Sequence, residues 1–551
     1  MARLSTITSA PASPARLWRW AIAAVLLVAT FIARAPALGP RSFWIDEFVT
    51  WDVAGFPFWR AGSLTAGKLD RHSMFAFAVN DTGPGPLMYL LEGLFAGFVK
   101  PYGGEGWLRL PGVLAGMATV ALLLWRGVRW TGGRDGALVM AAFAALHSHW
   151  IEASGGARGY GWLLLLTTLQ AGLTIELTTG RGFVGWRQVW LVWCAAATAG
   201  VGINPLHGLV AGALAGPVLV ERWRRRSFSA GGRDSVVAEM PASWFWGAAG
   251  AAALVSGGYM AFWYWRISHG ASASIAGTRV IRRSMAPAEL ASRFAEQVAG
   301  SPDVAWLLGS GVVAAVIAWC FKSRGGTGPA GRRAAAVAAI GLWLAPATVV
   351  LVLGLLRGHF LVGRYFYALA VLTCLCMGLA MQRLAGALAG PRRTEMRRML
   401  WAAVACAALV SVPAGWRLSS TPIHDWAAAV SRLKSISVPG DAVLVGPNAD
   451  QECFRFYAKA AGLPFDATET YYDAAGTVRD ARTYPGLKIL LEQSDKRIFF
   501  VTPFLRAVRT PAYWSLAERS FTPVADIPGR GAIAIRVRNP PAASSETSST
   551  L

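Results

Sequence analysis

Residues 20–51 read WAIAAVLLVATFIARAPALGPRSFWIDEFVTW, an apolar run followed within a dozen residues by the adjacent carboxylates Asp46 and Glu47. The run is long enough to cross a hydrocarbon layer, which takes roughly 20 apolar residues. It shows no small-x-small cleavage pattern before Arg34, so it is expected to remain as a first transmembrane helix rather than to act as a removable leader. Carboxylates are costly inside hydrocarbon and cheap one loop away, so a pair held at the membrane lip by Phe43, Trp44 and Phe48 is placed to meet a lipid-borne substrate.

The rest of the chain continues the pattern. It has 551 residues, of which 54% are hydrophobic and only 15% charged, with 25 Trp, which excludes an ordinary soluble protein. A net charge of +23 invites comparison with nucleic-acid binders. The Arg residues, however, sit in short clusters between apolar runs of about 15 to 23 residues, a membrane-topology signal, and no nucleic-acid partner is expected. Of the cysteines, only Cys453 lies in a polar region, so no disulfide framework is implied.

Apolar runs begin near Trp20, Leu108, Ala137, Tyr160, Val189, Leu206, Trp244, Ala305, Ala334, Tyr365 and Leu400, which predicts about eleven spans. The stretch GPLMYLLEGLFAGFV (85–99) is shorter, starts among prolines and carries Glu92, and is read as lying in the interface. Basic clusters at Arg126/Arg129/Arg134, Arg181/Arg187, ERWRRRS from Glu221, Lys322–Arg333 and Arg392–Arg398 then all fall on the side of the N-terminus. By the positive-inside rule that side is cytoplasmic. Counting 85–99 as a span would break the alternation.

The opposite face holds all seven histidines and is read as the chemical face. The expected organisation is a membrane catalytic domain over 1–418, with outer loops over 35–107 and 266–303. A small extracytoplasmic α/β domain follows over 419–538, with DAVLVG, RIFFVT and AIAIRVR as strands and DQECFRFYAKAAG as a helix. The polar tail 539–551 is expected to be disordered.

Four ordered stretches carry a family resemblance: RSFWIDEFVTW; NDTGPGPLMYLLEGLFAGF; WLRLPGVLAGMATVALLLWRGVRWTGG followed by ARGYGWLLLL; and GRYFYALAVLTCLCMGLA. Together they resemble the GT-C glycosyltransferases of the protein O-mannosyltransferase and aminoarabinose-transferase type, from Arg41 to about Ala380. The resemblance implies a mainly α, polytopic membrane enzyme of GT-C type. Such an enzyme moves a sugar from a polyprenyl-phosphate carrier to a hydroxyl of a glycolipid, polysaccharide or protein, with inversion, at a periplasmic site of the bacterial inner membrane. One departure stands out: the family's His-Pro-Pro is here Gly83-Pro84-Gly85-Pro86.

The resemblance assigns catalysis to Asp46 and Glu47, with Asp46 as general base. Like charges side by side, partly buried, are expected to raise one carboxyl pKa, which suits that role. The resemblance also implies donor-phosphate contacts from Arg158 with Tyr160 and from Arg364 with Tyr365. Arg supplies a fork that stays charged, although Arg also snorkels to lipid headgroups generally. Asp81 and His207 are further candidates for substrate binding. Arg282 and Arg283, in a second outer loop rich in Arg, are read either as gathering an anionic lipid or as a solvated face.

His147, His149 and Glu152 in HSHWIE are residue types that bind zinc or another divalent metal. On a helix the i, i+2 spacing splays the two rings by about 200°, which favours plain interfacial polar residues and leaves no cofactor required. Two other functions remain in view: an O-antigen-ligase-like transferase, which would not need the early carboxylate pair, and a lipid-linked sugar flippase, whose polar residues would line the midplane of several helices.

Overall fold

The computed structural model describes residues 14–56, 73–80, 85–179, 185–205, 207–227, 241–269, scattered positions between 370 and 413, 415–445, 450–463, 497–503, 520–530 and 532–539. Asp81, Arg282, Arg283, Arg364, Tyr365, nearly all of the second outer loop and the tail beyond 539 lie outside the described residues, as do the runs expected from Ala305 and Ala334.

Every apolar run that falls within the described residues up to 269 is a helix. In chain order the elements are α1 (Pro14–Arg34), α2 (Ile45–Ala54), α3 (Met74–Asn80), α4 (Pro86–Glu92), α5 (Gly106–Thr131), α6 (Arg134–Leu146), α7 (Ser148–Ser154), α8 (Tyr160–Thr179), α9 (Trp186–Ile203), α10 (His207–Ser227) and α11 (Ala242–His269). Among the described residues, Trp20–Leu38, Gly106–Thr131 and Ala242–Phe262 are each long and apolar enough to cross a membrane. The run expected from Ala137 yields a 13-residue helix, about 20 Å long and short of a bilayer. It stops because His147 is extended, and the chain restarts as α7. The stretch from Gly85 is α4 followed by a 3₁₀ turn (Gly93–Phe98), also too short to span.

α5 is the hub, packing on α6, α8 and α1. Small residues permit this: a Cβ on Gly112 would lie 2.9 Å from the Ser154 carbonyl oxygen, and one on Gly161 2.6 Å from that of Gly112. α5 runs on to Thr131, so Arg126 and Arg129, expected in a loop, stand on its last turns. Arg126 pairs with Glu176 of α8 at 3.6 Å, and Trp130 donates to the same carboxylate at 2.9 Å. Glu176 thus joins a buried stripe on α8 that includes Gln170 and Thr174, which hydrogen-bond to α10 and α9.

Beyond Ser419 the chain forms α12 (Trp426–Ile436), β1 (Ala442–Val445), α13 (Asp450–Ala460), β2 (Ile498–Pro503), β3 (Thr522–Ile527) and β4 (Ile533–Arg538). The three expected strands and the helix between them are present; β3 and α12 are additions. The sheet order is β1-β2-β4-β3, with β1 parallel to β2 and the other pairings antiparallel. This unit shares one apolar core with residues in and around the carboxylate motif. Phe43, Phe48, Leu108 and Ala157 are buried together with Trp426, Phe454, Tyr457 and Ile535. Its helices α12 and α13 carry the contact to the carboxylate motif, at Ser42, Phe43 and Phe48.

Candidate active site

The two adjacent carboxylates open α2, where acidic groups favour the positive end of the helix. Successive helical residues diverge by about 100°, so the pair separates at once. Glu47 turns inward and is 1% exposed. Arg109 grips it with a two-pronged fork, Nε to Oε1 at 2.9 Å and Nη2 to Oε2 at 2.8 Å. Arg41 reaches Oε1 at 3.4 Å, and the Ala157 amide donates to Oε1 at 3.2 Å. Burial alone would push this carboxyl up, but the Arg109 charge and hydrogen bonds, helped by Arg41 and the Ala157 amide, outweigh it and hold Glu47 at about 2. The expected rise in pKa from like-charge crowding is therefore overturned at Glu47, because two guanidiniums dominate its surroundings.

Asp46 faces the other way. Its side chain is 25% exposed, and Arg158 lies 3.5 Å from its Oδ2 and 3.4 Å from its carbonyl oxygen. A third carboxylate, unassigned by sequence reasoning, completes the group: Glu92, the last residue of α4, is fully buried and accepts the Gly159 amide at 3.1 Å. Burial pushes Glu92 well above the ordinary carboxylate range, the Gly159 bond opposing and the Glu47 charge adding to the shift. Burial thus favours its protonated form.

Three consecutive residues of the ARGYG loop thus each serve a different carboxylate: the Ala157 amide takes Glu47, the Arg158 side chain takes Asp46 and the Gly159 amide takes Glu92. Gly159 has φ +71°, and a Cβ there would sit 2.6 Å from Met88 Cγ, so glycine is required both for the turn and for the close approach. Tyr160 follows as the first residue of α8.

The remaining candidates are dispersed. His207 is buried at the start of α10, with Nε2 2.7 Å from Gln170 Oε1, so its hydrogen bond serves helix packing. His147 is buried, and its Nδ1 accepts the His149 amide at 3.3 Å. His149 lies 3.4 Å from Glu152, which also pairs with Arg530 of the C-terminal unit. Among the described residues no group of three or more His, Cys, Asp or Glu side chains is gathered to hold a metal. His424 is buried in the segment that leads from Ser419 into α12, near enough to Asp46 and Arg530 to feel the charge of both.

Sequence reasoning missed Arg109, Arg41 and Glu92. The first two were legible in principle: a lone Arg one turn inside an apolar run, in WLRLPG, and an Arg five residues before Asp46. Glu92 served only to argue against a span.

No family model and no curated protein matches the sequence at a significant level. Solved structures do. The chain is similar to ArnT from Cupriavidus metallidurans in the apo state, with TM-score 0.52 and 13% identity over 95% of this chain and 98% of that one. It is similar to the same protein bound to undecaprenyl phosphate, with TM-score 0.51 and 11% identity over 96% and 98%. With the likeness spanning nearly the whole of both chains, this chain shares the fold of these ArnT structures.

Proposed function

We propose that this protein is an inverting integral-membrane glycosyltransferase that moves a sugar from a polyprenyl-phosphate carrier to an acceptor hydroxyl. The observation that carries this reading is the division of labour at 46–47. Glu47 is enclosed by two buried arginines, whereas the Asp46 side chain keeps 25% of its surface exposed, with Arg158 3.5 Å from its Oδ2. A protein of the same fold holds undecaprenyl phosphate, which supports a lipid-linked donor.

In the proposed reaction the acceptor oxygen attacks the anomeric carbon and its proton passes to Asp46 Oδ. The bond from that carbon to the phosphate oxygen breaks, its electron pair leaves with polyprenyl phosphate, and the configuration inverts in the single displacement. Arg158, 3.5 Å from Asp46 Oδ2, is proposed to orient that carboxylate and, with Tyr160, to meet the charge that develops on the departing phosphate. Arg364 and Tyr365 are proposed as further donor-phosphate contacts. The orientation is proposed to be N-terminus cytoplasmic and C-terminal unit periplasmic. The acceptor class, whether glycolipid, polysaccharide or protein, follows from which pool gains the sugar.

The test is to incubate membranes with a panel of radiolabelled polyprenyl-phosphate sugars and to follow label into lipid, polysaccharide and protein. Transfer that depends on Asp46 is expected. A panel in which the wild type transfers nothing, or transfer that is unchanged by Asp46→Asn, would refute the mechanism.

A further inference from the structure

The C-terminal unit touches the residues immediately before Asp46 at successive positions. Arg41 Nη1 donates to the Ser419 carbonyl at 2.8 Å. The Ser42 hydroxyl donates to Asp425 Oδ1 at 2.8 Å and accepts the Ala427 amide at 3.1 Å, so it is stitched into the N-terminus of α12, which Asp425 caps. The Phe43 amide donates to the Tyr457 hydroxyl at 2.8 Å.

Tyr457 also reaches a second element. Its hydroxyl donates to Glu105 Oε1 at 3.1 Å. Glu105 is the residue preceding α5 and lies one turn before Arg109, whose fork holds Glu47. The Glu105 carboxylate additionally accepts the amides of Tyr102 and Gly103 at 3.0 and 2.8 Å, which fixes a turn in which Tyr102 has φ +62°. Burial and the Glu105 charge push the Tyr457 pKa up, so the hydroxyl keeps its proton and remains a donor. A single buried hydroxyl on α13 therefore joins the segment entering α2 to the start of α5, and α2 and α5 meet at the Glu47–Arg109 pair.

We infer that Tyr457 is a positioning residue for Asp46, and that the C-terminal α/β unit is thereby a working part of the active site rather than an appended domain. The phenol tie at Phe43 fixes where α2 begins. The Glu105 tie fixes where α5 begins relative to it. Asp46, three residues beyond Phe43, inherits its place from both. Small displacements of a reacting group cost turnover rather than binding, about 10²-fold for 1 Å. The inference rests on Asp46 being the base.

The experiment uses full-length protein in membranes or detergent. Tyr457→Phe keeps the ring packed against Phe456 and Tyr102 and removes only the hydroxyl. The expected result is a roughly 10-fold or larger fall in kcat with the lipid-donor KM near its wild-type value, the probe being the radiolabelled undecaprenyl-phosphate sugar found by the panel. In an Asp46→Asn background the same change is expected to have no further effect, because the two act through one group. A second readout needs no turnover: labelling of Asp46 by a hydrophobic carbodiimide across pH, read by peptide mass spectrometry, is expected to shift in Tyr457→Phe. An unshifted labelling profile, or multiplicative losses in the double variant, would overturn the positioning role. Full transfer by Asp46→Asn alone would instead overturn the base assignment. Asp425→Ala supplies an independent variant, with the same split expected if the stitch to Ser42 acts in the same way.

Discussion

Asp46 and Glu47 are consecutive residues with opposite surroundings, and their substitutions are expected to fail differently. Asp46→Asn keeps size and most hydrogen-bonding reach but cannot take a proton. Transfer is expected to fall by roughly 10²-fold or more with the protein still folded and inserted, measured at matched membrane abundance. Near-wild-type transfer would remove Asp46 from the mechanism. Glu47→Gln leaves Arg109 and Arg41 buried without their carboxylate, a loss on the order of 3–5 kcal/mol of stability. It is expected to show as a lower melting temperature by tryptophan fluorescence, so inactivity of this variant says nothing about the base.

The sign of the pH effect at Glu47 follows from its lowered value. Its contribution to stability is complete above the ordinary 4.5 and is lost as pH falls from there toward about 2. Wild type is expected to melt progressively earlier across that window, and Glu47→Gln to lack that share of the slope. Parallel slopes in the two proteins would contradict the assignment.

At the scale of elements, α4 and the loop leading into α8 meet at Glu92, where a carboxyl is buried with a single amide donor. Its folded pKa lies above the unfolded one. Below about 4.5 both states hold the proton; as pH rises the unfolded chain releases it first, and the folded state loses relative stability. Glutamine imitates the neutral form. Glu92→Gln is therefore expected to melt at or above the wild-type temperature at pH 8, with the advantage shrinking on acidification. A variant clearly less stable at pH 8 would mean that Glu92 is ionised in the folded protein. Gly159→Ala tests the same joint from the other side, since left-handed backbone and contact with Met88 both oppose a Cβ. A destabilisation of about 1–2 kcal/mol is expected, read in the same melting assay.

For the whole molecule, the proposed orientation predicts that a single cysteine at Ser227, at the end of α10, is protected from an impermeant maleimide in intact spheroplasts. One at Ser435, exposed on α12, is expected to be labelled. The reverse pattern would invert the map and put the carboxylates on the cytoplasmic side. Because the C-terminal unit shares one core with the residues around Asp46, the label at Ser435 reports on the face that holds Asp46.

The apolar runs and three of the strands were legible in the sequence by itself, because burial in lipid or in a sheet imposes a local period and length that a single chain must show. That is why α1, α5, α8 to α11, β1, β2 and β4 fall where hydropathy puts them, and why the 85–99 stretch is too short to span. β3 escaped because TPVADI has a proline and little apolar alternation, and it is held instead by pairing with β4. The carboxylate doublet was visible as well. Which of the two is buried and which is accessible was not, since that depends on Arg109, 62 residues from Glu47, and on the Ala157 amide. Charge state at a buried site is set by what the fold brings within about 4 Å, and neighbours at that distance are chosen by tertiary packing rather than by sequence order.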